Sequence, residues 1–350
     1  MSPEGIWYQG GHPLSTLLLP LSWLYCLVAR LRRLAYRRGW LPSHRVPVAV
    51  IVIGNLTVGG TGKTPLVLWL TGFLRRRGFS PGVVTRGYRG CSEEWPRVVT
   101  ASTDPREVGD PPTGSGISKA VLLARRSGCP VVAGPDRVAA ALKLIALGGC
   151  DIMVTDDGLQ HYRLRRDLEI LVVDGSRGFG NGRCLPAGPL REPVSRRRHV
   201  DFSVCNGGNC EEGWEMRLVP EGLVNLRDPE LSREVAALSG HRVTAVAGIG
   251  NPGRFFALLR GHGLHLDERP YPDHHRFSAA DAASWPRQPV VMTEKDAVKC
   301  EAFAGEDYWY VPVTAQMDPH FEQVLAERLA TLASPTSTGG SGADRRASTN

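Results

Sequence analysis

The sequence predicts an α/β protein, built on a largely parallel sheet and followed by a second, smaller α/β domain. Three observations predict it. Residues 48–53 form an unbroken apolar, β-branched run that leads through a glycine-rich loop into an apolar helical pattern. Strand and helix patterns then alternate to about residue 174, the rhythm of a parallel sheet with crossover helices. A similar alternation resumes near residue 240 and runs to 333, and a chain of 350 residues has room for two units of about 150 each.

The loop after the first strand, GNLTVGGTGKTP, has the chemistry of a phosphate cradle and makes the first unit P-loop NTPase-like. Gly59, Gly60 and Gly62, with Thr57 and Thr61 between and before them, let backbone N–H groups turn inward. Lys63 can reach the β- and γ-phosphates, and Thr64 offers a hydroxyl to Mg²⁺. Pro65 suits the first helical turn, where a missing N–H costs little. The general pattern GxxxxGK[ST] has glycine where this chain has Thr57, so the pattern alone leaves an ordinary strand-to-helix turn as the competing reading.

Ahead of the loop lies an unusual N-terminal segment, residues 1–45. Its apolar run from 14 to 29 is shorter than the roughly 20 residues of a spanning helix, and Pro20 interrupts it. Trp7, Tyr8, Trp23, Tyr25, Tyr36 and Trp40 supply rings suited to headgroup depth. Arg30, Arg32, Arg33, Arg37, Arg38 and Arg45 stand against Glu4 alone, so this segment holds most of the chain's net charge of +7. The combination predicts a membrane-associated helix at an anionic surface. A core helix competes with that reading; a secretory signal fits poorly, since its charges normally precede the apolar run. With the basic excess placed here and no recognised nucleic-acid motif, no nucleic-acid partner is expected. The eight cysteines are scattered and read as reduced thiols; the nearest pair is Cys205 and Cys210.

Residues 46–202 form the expected core. A second strand, PGVVT, delivers Arg86, Tyr88 and Arg89 to the carboxyl end of the sheet, where ligands bind in such folds, although a solvated turn would look the same. Residues 101–118 are a Pro, Gly, Ser and Asp loop that contains Asp110. A helix near 118–127, a strand at PVVAG and a helix from Asp136 to about Leu147 follow. The stretch CDIMVTDDGLQHYRLRRDLEILVVD ends one strand in Asp156 and Asp157 and another in Asp174. A carboxylate at a strand end beside a phosphate loop is what a Mg²⁺ site needs, though two aspartates also cap strands and begin turns. A Gly and Pro loop at 179–193 ends in Arg191 and Glu192.

Residues 203–227 read as an extended linker, and 228–333 as the second domain. Its elements are a strand at RVTAVAGIG, helices from Pro252 and from Ser278, strands at QPVVMTEKDAVK and DYWYVPV, and a closing amphipathic helix. Residues 334–350 have too little apolar content to fold and read as a disordered tail.

Taken in order, GNLTVGGTGKTP, TRGYRG, VGD, TDDGLQH, GNGRCLPAGPLRE, GIGNPGRFF, PDHHRF and TEKDAVK resemble the tetraacyldisaccharide 4'-kinase family of lipid A biosynthesis, whose members share the atypical loop. The resemblance runs to about residue 333. It implies an ATP-dependent phosphotransferase acting on the 4'-hydroxyl of tetraacyldisaccharide 1-phosphate, the lipid A disaccharide precursor, to give lipid IVA. It further implies a monomer, monotopic on the cytoplasmic face of the inner membrane. By position, Lys63 would stabilise the transferring phosphoryl group, and Thr64, Asp157, Asp156 and Glu192 would hold Mg²⁺. Arg86, Tyr88, Gln160, His161 and Arg191 would line the site. Asp110 would take the acceptor proton, polarised by His274. The chain departs from the family at Pro111, usually acidic, and at 111–118, which looks like an insertion. A soluble P-loop kinase or ATPase acting on a small metabolite is the alternative, and a nucleotide switch without an acceptor is a third.

Overall fold

A computed structural model describes residues 3–8, 11–87, 92, 94–108, 119–208, 213–273 and 275–333. The chain opens with helices α1 (Pro3–Tyr8), α2 (Pro13–Leu17) and α3 (Leu19–Arg37). The first sheet is then entered through β1 (Ala49–Gly54), α4 (Lys63–Arg76), β2 (Pro81–Thr85), β3 (Arg97–Val99), α5 (Pro105–Val108) and α6 (Lys119–Arg126). It continues with β4 (Val131–Ala133), α7 (Arg137–Ala146), β5 (Ile152–Asp156), β6 (Leu168–Asp174), β7 (Phe202–Asn206) and β8 (Trp214–Pro220). The second sheet follows: β9 (Leu223–Asn225), β10 (Ser232–Arg233), β11 (Arg242–Ala247), α8 (Pro252–Gly261), β12 (His265–Pro270), α9 (Ala279–Ala283), β13 (Val290–Thr293), α10 (Glu294–Ala297) and β14 (Tyr308–Val311). The chain closes with β15 (Val313–Met317) and α11 (Pro319–Ala333).

Nine strands in the order β15-β8-β7-β6-β1-β5-β2-β4-β3 make the first sheet, and six in the order β10-β9-β14-β13-β11-β12 make the second. β1 lies between β5 and β6, parallel to both. Its side chains alternate between two cores. Ile51 and Ile53 pack with Leu66, Leu70 and Phe73 of α4, whereas Val50 and Val52 pack with Ala140, Ala141 and Leu144 of α7. Burial on both faces is why the sequence of this strand is uniformly apolar. Because the crossover from β1 leaves toward β2 and the one from β6 leaves the other way, toward β7, a crevice opens between their carboxyl ends.

Several elements differ from the sequence expectation. Residues 203–227, expected as a linker, form β7 and β8 of the first sheet and β9 of the second. The exposed alternate positions of β8 give that stretch its polar, linker-like look. DYWYVPV divides at Pro312 into β14 of the second sheet and β15, which returns to pair antiparallel with β8. Helix α11 returns as well: Phe321, Leu325 and Leu329 lie in the first sheet's core, with Phe321 edge-on to Phe202 at 5.4 Å. TEKDAVK is a strand end and helical turn, not a continuous strand, because the Thr293 side chain accepts from Asp296 N–H and caps α10. Cys26, Cys129, Cys150, Cys184 and Cys300 are free thiols. Cys205 is disulfide-bonded, against the expectation of reduced thiols throughout, and Cys210 lies outside the described residues.

The N-terminal helices are inverted relative to a core helix. Ser22 is the buried residue of α3, donating from Oγ to the Cys184 carbonyl at 2.7 Å, and Ser15 does the same to Ala187 at 2.6 Å. Leu17, Leu21, Trp23, Leu24, Leu27, Val28 and Leu31 face outward, with Leu17 at 74% exposure. The small polar residues dock the helices onto the 179–193 loop, and the apolar face is left open. No helix among the described residues is long and apolar enough to cross a membrane.

One buried ion pair ties the edge of the first sheet's centre to the turn at Val194–His199. Arg196, 2% exposed, donates from one nitrogen to both Glu169 oxygens at 2.6 Å. Arg196→Met leaves the buried carboxylate with the Arg166 guanidinium alone, at 3.0 Å, so it should cost about 3 kcal/mol, the low end for a broken buried pair, in urea denaturation. Adding Glu169→Leu should recover part of that loss. A single-variant cost below about 1 kcal/mol would show instead that Arg166 and water compensate the carboxylate between them.

Candidate active site

The glycine-rich loop turns at two glycines of positive φ, Gly59 at 107° and Gly62, and the second is required by space as well as by angle. Gly62 has φ 92°, and a Cβ there would sit 2.0 Å from Asn206 Nδ2, which donates to the Thr61 carbonyl at 3.0 Å. The loop is stapled from outside by the 179–193 loop: Val58 N–H donates to Pro189 at 2.8 Å and Arg191 N–H to Leu56 at 2.7 Å. Thr57, the position that departs from the general pattern, bridges to Leu190 in this staple. Asn55 supports the loop from within, donating to the Thr57 carbonyl at 2.8 Å and accepting from Lys63 Nζ at 2.9 Å.

Lys63 is 8% exposed and lies 3.4 Å from Asp157. Burial lowers its ammonium to about 8, partly opposed by Asp157 and reinforced by the nearby Lys119. Asp157 follows β5 directly with φ 57°, the non-glycine residue of positive φ among those described. Its carboxylate also meets Arg191 at 3.2 Å. Burial alone would raise its affinity for a proton, but Lys63, Arg191 and Lys119 together hold it well below the usual carboxylate range. Asp156 is 1% exposed and pairs with Lys119 at 2.6 Å.

Glu192 is buried and engaged elsewhere, by the Tyr162 hydroxyl and by Gln160 Nε2 at 3.2 Å. Burial, then the Glu192 carboxylate, push the Tyr162 hydroxyl up to about 12. Gln160 also donates to the Asn55 carbonyl at 3.2 Å, so it joins the phosphate loop to the 179–193 loop. Burial, then the guanidinium groups of Arg137 and Arg86, lower His161 to about 4, which keeps its ring neutral near pH 7.

These groups line a cleft of about 1380 Å³. Its floor is the loop Gly59–Thr64 with Asp156, Asp157, Arg86, Gln160, His161 and Arg191. One wall comes from the second sheet through Gly250, Asn251, Arg254, Asp273 and Lys295, and another from α3 through Tyr25, Val28, Ala29 and Arg32. Basic lining residues outnumber acidic ones, which suits a polyphosphate. The second sheet is held close: a Cβ on Gly250 would lie 2.8 Å from Gly60 N. Asn251 donates to Asp174 at 3.1 Å, and Arg254 forms an ion pair with the same carboxylate.

The structure thus brings together Thr57, Gly59, Gly60, Thr61, Gly62, Lys63, Thr64, Arg86, Asp156, Asp157, Gln160, His161, Arg191 and Glu192. Asp110, Tyr88 and His274 lie outside the described residues. Asn55, Lys119, Arg137 and Asn206 escaped the sequence reading. Asn55 sits inside the loop string itself and carried a signal, whereas Arg137, which donates to the Asp156 carbonyl at 3.3 Å, carried none. Among the described residues no group of three or more His, Cys, Asp or Glu side chains could hold a metal. Mg²⁺ needs less from a protein, one or two carboxylates completed by waters and phosphate oxygens. Thr64 with Asp157 fits that requirement better than Glu192, engaged by Tyr162 and Gln160, or Asp156, whose two oxygens are both taken by Lys119.

Comparison with known proteins agrees with this geometry. The family model described as Tetraacyldisaccharide-1-P 4'-kinase matches residues 14–330. A tetraacyldisaccharide 4'-kinase of Alkalilimnicola ehrlichii is 51% identical over 320 residues, covering 91% of this chain and 94% of its own. One from Nitrosococcus oceani is 49% identical over 323 residues, covering 91% and 92%. A crystal structure of LpxK from Aquifex aeolicus in complex with ATP superposes with a TM-score of 0.71 at 27% identity, covering 91% of this chain and 99% of that one. With a phosphate loop, a paired carboxylate floor and a family match across nearly its whole described length, this chain belongs to the tetraacyldisaccharide-1-P 4'-kinase family.

Proposed function

We propose that this chain transfers the γ-phosphoryl group of ATP to the 4'-hydroxyl of tetraacyldisaccharide 1-phosphate, giving lipid IVA and ADP. The observation that carries the reading is the continuity of the cleft. One cavity joins the phosphate cradle at Gly59–Thr64 to the inner face of α3, whose outer face is an open apolar surface. A soluble metabolite kinase has no use for that second half.

In the transfer, the acceptor oxygen bonds to the γ-phosphorus as the bond to the β-phosphate oxygen breaks, and the acceptor proton passes to a base. The resemblance gives that base as Asp110, with His274 beside it. The transition state is loose, so positioning and charge neutralisation dominate. The loop N–H groups and Lys63 hold the donor phosphates, Arg191 adds a second cation, and Asp157 fixes both cations in place. Thr64 and Asp157 would hold Mg²⁺, which would supply further charge neutralisation. The open face of α3 rests on the cytoplasmic leaflet of the inner membrane, with the exposed Arg30, Arg37 and Arg38 at the anionic headgroups, so a monomer meets a substrate that stays in the bilayer. The two-lobed division, a phosphate-loop unit and a smaller unit carrying His274, is part of the same proposal.

Lys63→Met and Asp110→Ala should each lower transfer of ³²P from γ-labelled ATP to the disaccharide by about a hundredfold or more, with circular dichroism unchanged. A near-native rate in Asp110→Ala would remove it from the mechanism.

Bound phosphates favour the charged form of Lys63, which sits near 8 in the free site. ATP binding should therefore take up a proton above that pH, and affinity should fall by up to about tenfold per pH unit as pH rises. Calorimetry at pH 8.5 in buffers of different ionisation heat reads the uptake, and Lys63→Met should abolish it. Binding without proton uptake in the native protein would assign the pH dependence elsewhere.

Leu24 and Leu27 are 58% and 52% exposed and do not line the cleft. Replacing both by Glu should weaken flotation with anionic vesicles by on the order of a hundredfold, from about 3 kcal/mol of lost apolar burial. Activity on a short-chain, detergent-dispersed acceptor should persist; unchanged flotation would place the contact surface elsewhere.

A further inference from the structure

Two lysines, from separate elements, meet the adjacent carboxylates at the end of β5. Lys63 reaches Asp157 from the phosphate loop at 3.4 Å. Lys119, the first residue of α6, reaches both oxygens of Asp156 at 2.6 Å. Asp156 is buried, also accepting from Thr85 Oγ1 at 3.4 Å, so it requires a cation. That cation comes from the cleft side. The Lys119 side chain is 36% exposed and lines the cleft, and an ammonium with two N–H groups on Asp156 retains a third for a ligand. Lys119 is close enough to disfavour the charge on Lys63. An anion arriving between them would relieve that repulsion.

We infer that Lys119 is a further catalytic cation, contacting the oxygens of the phosphoryl group in transfer from the side opposite Lys63 while Asp156 holds it in place. The inference rests on the kinase reading above. Lys63 belongs to the phosphate loop and Lys119 opens α6, so the two ammonium groups reach the adjacent carboxylates from separate elements. Charge on the three equatorial oxygens is greatest in a loose transition state, where a second fixed ammonium acts on rate more than on nucleotide affinity.

The test compares native protein, Lys119→Met and Lys119→Arg for kcat, KM for ATP and directly measured ATP binding, using the disaccharide acceptor. Lys119→Met should lower kcat by about ten- to a thousandfold while ATP affinity changes less than about threefold. Lys119→Arg should recover at least a tenth of the native rate. Lys119→Met leaves Asp156 buried and unpaired, so the same change is also made on an Asp156→Asn background. A further drop of tenfold or more there supports direct action on the phosphoryl group. No further drop, a kcat within twofold of native in the single variant, or a loss confined to ATP binding overturns it. If the native protein itself fails to phosphorylate the acceptor, the kinase reading fails instead.

Discussion

The site depends on one buried charge cluster, Asp157 with Lys63 and Arg191. Asp157 adopts a left-handed backbone conformation that costs an ordinary residue about 1–2 kcal/mol. The strain turns the carboxylate at the end of β5 toward the phosphate loop beside β1, where it meets both cations. Without it, Lys63 would be a charge buried beside Asn55 alone, and Arg191 would lose the partner that draws the 179–193 loop over the cradle. Conversely, the two cations keep the carboxylate ionised despite its burial. The arrangement is preorganised: the charges a polyphosphate needs are already desolvated and aimed, so little reorganisation remains at the moment of transfer.

That loop has a second role. Its carbonyls at Cys184, Pro186 and Ala187 accept from Ser22, Trp7 and Ser15 of the N-terminal helices, while its backbone at 189–191 is stapled to the phosphate loop. A single stretch therefore fixes the height of the phosphate cradle relative to the open apolar face of α3. Since serine side chains make the buried docking contacts, the helices spend little apolar surface on the protein, chiefly at Cys26 and Tyr36, and most of it remains exposed.

The parts of this arrangement legible in the sequence are those whose chemistry is local. The run at 48–53 declares a strand buried on both faces, the glycines declare a cradle, and the aspartates at 156 and 157 declare a strand end facing it. Even the helix and strand order from 119 to 174 follows from periodicity. What could not be read was anything set by pairing distant in sequence. β15 carries no local mark that it leaves the second sheet for β8 except Pro312, and β8 alternates so sparsely that it passes for a linker. TEKDAVK looks like a strand because Thr293 and its apolar predecessors are one, and the cap that ends it is a side-chain contact with Asp296. Lys119 was invisible for the same reason, since its partner lies on a strand 37 positions away.

The return of β15 and α11 has a mechanical result. The second sheet leaves and re-enters the first through two neighbouring crossings, at Glu221 and at Pro312, joined by the Glu221 N–H donating to the Pro312 carbonyl at 2.9 Å. Arg126, in the last turn of α6, braces both. It meets Glu221 at 2.6 Å on one crossing, the Val313 carbonyl at 3.1 Å on the other, and Glu294 of α10 at 2.9 Å. Across the cleft, Arg254 and Asn251 fasten the opposite edge to Asp174, and Gly250 lies against Gly60. The wall carrying Asp273 is thus fixed at two separated points, neither of which involves the phosphate-binding side chains. Helix α6 spans from one of these braces to the Asp156 carboxylate, so the position of the second sheet and the charge balance beneath the cradle are set by the two ends of one short rigid element.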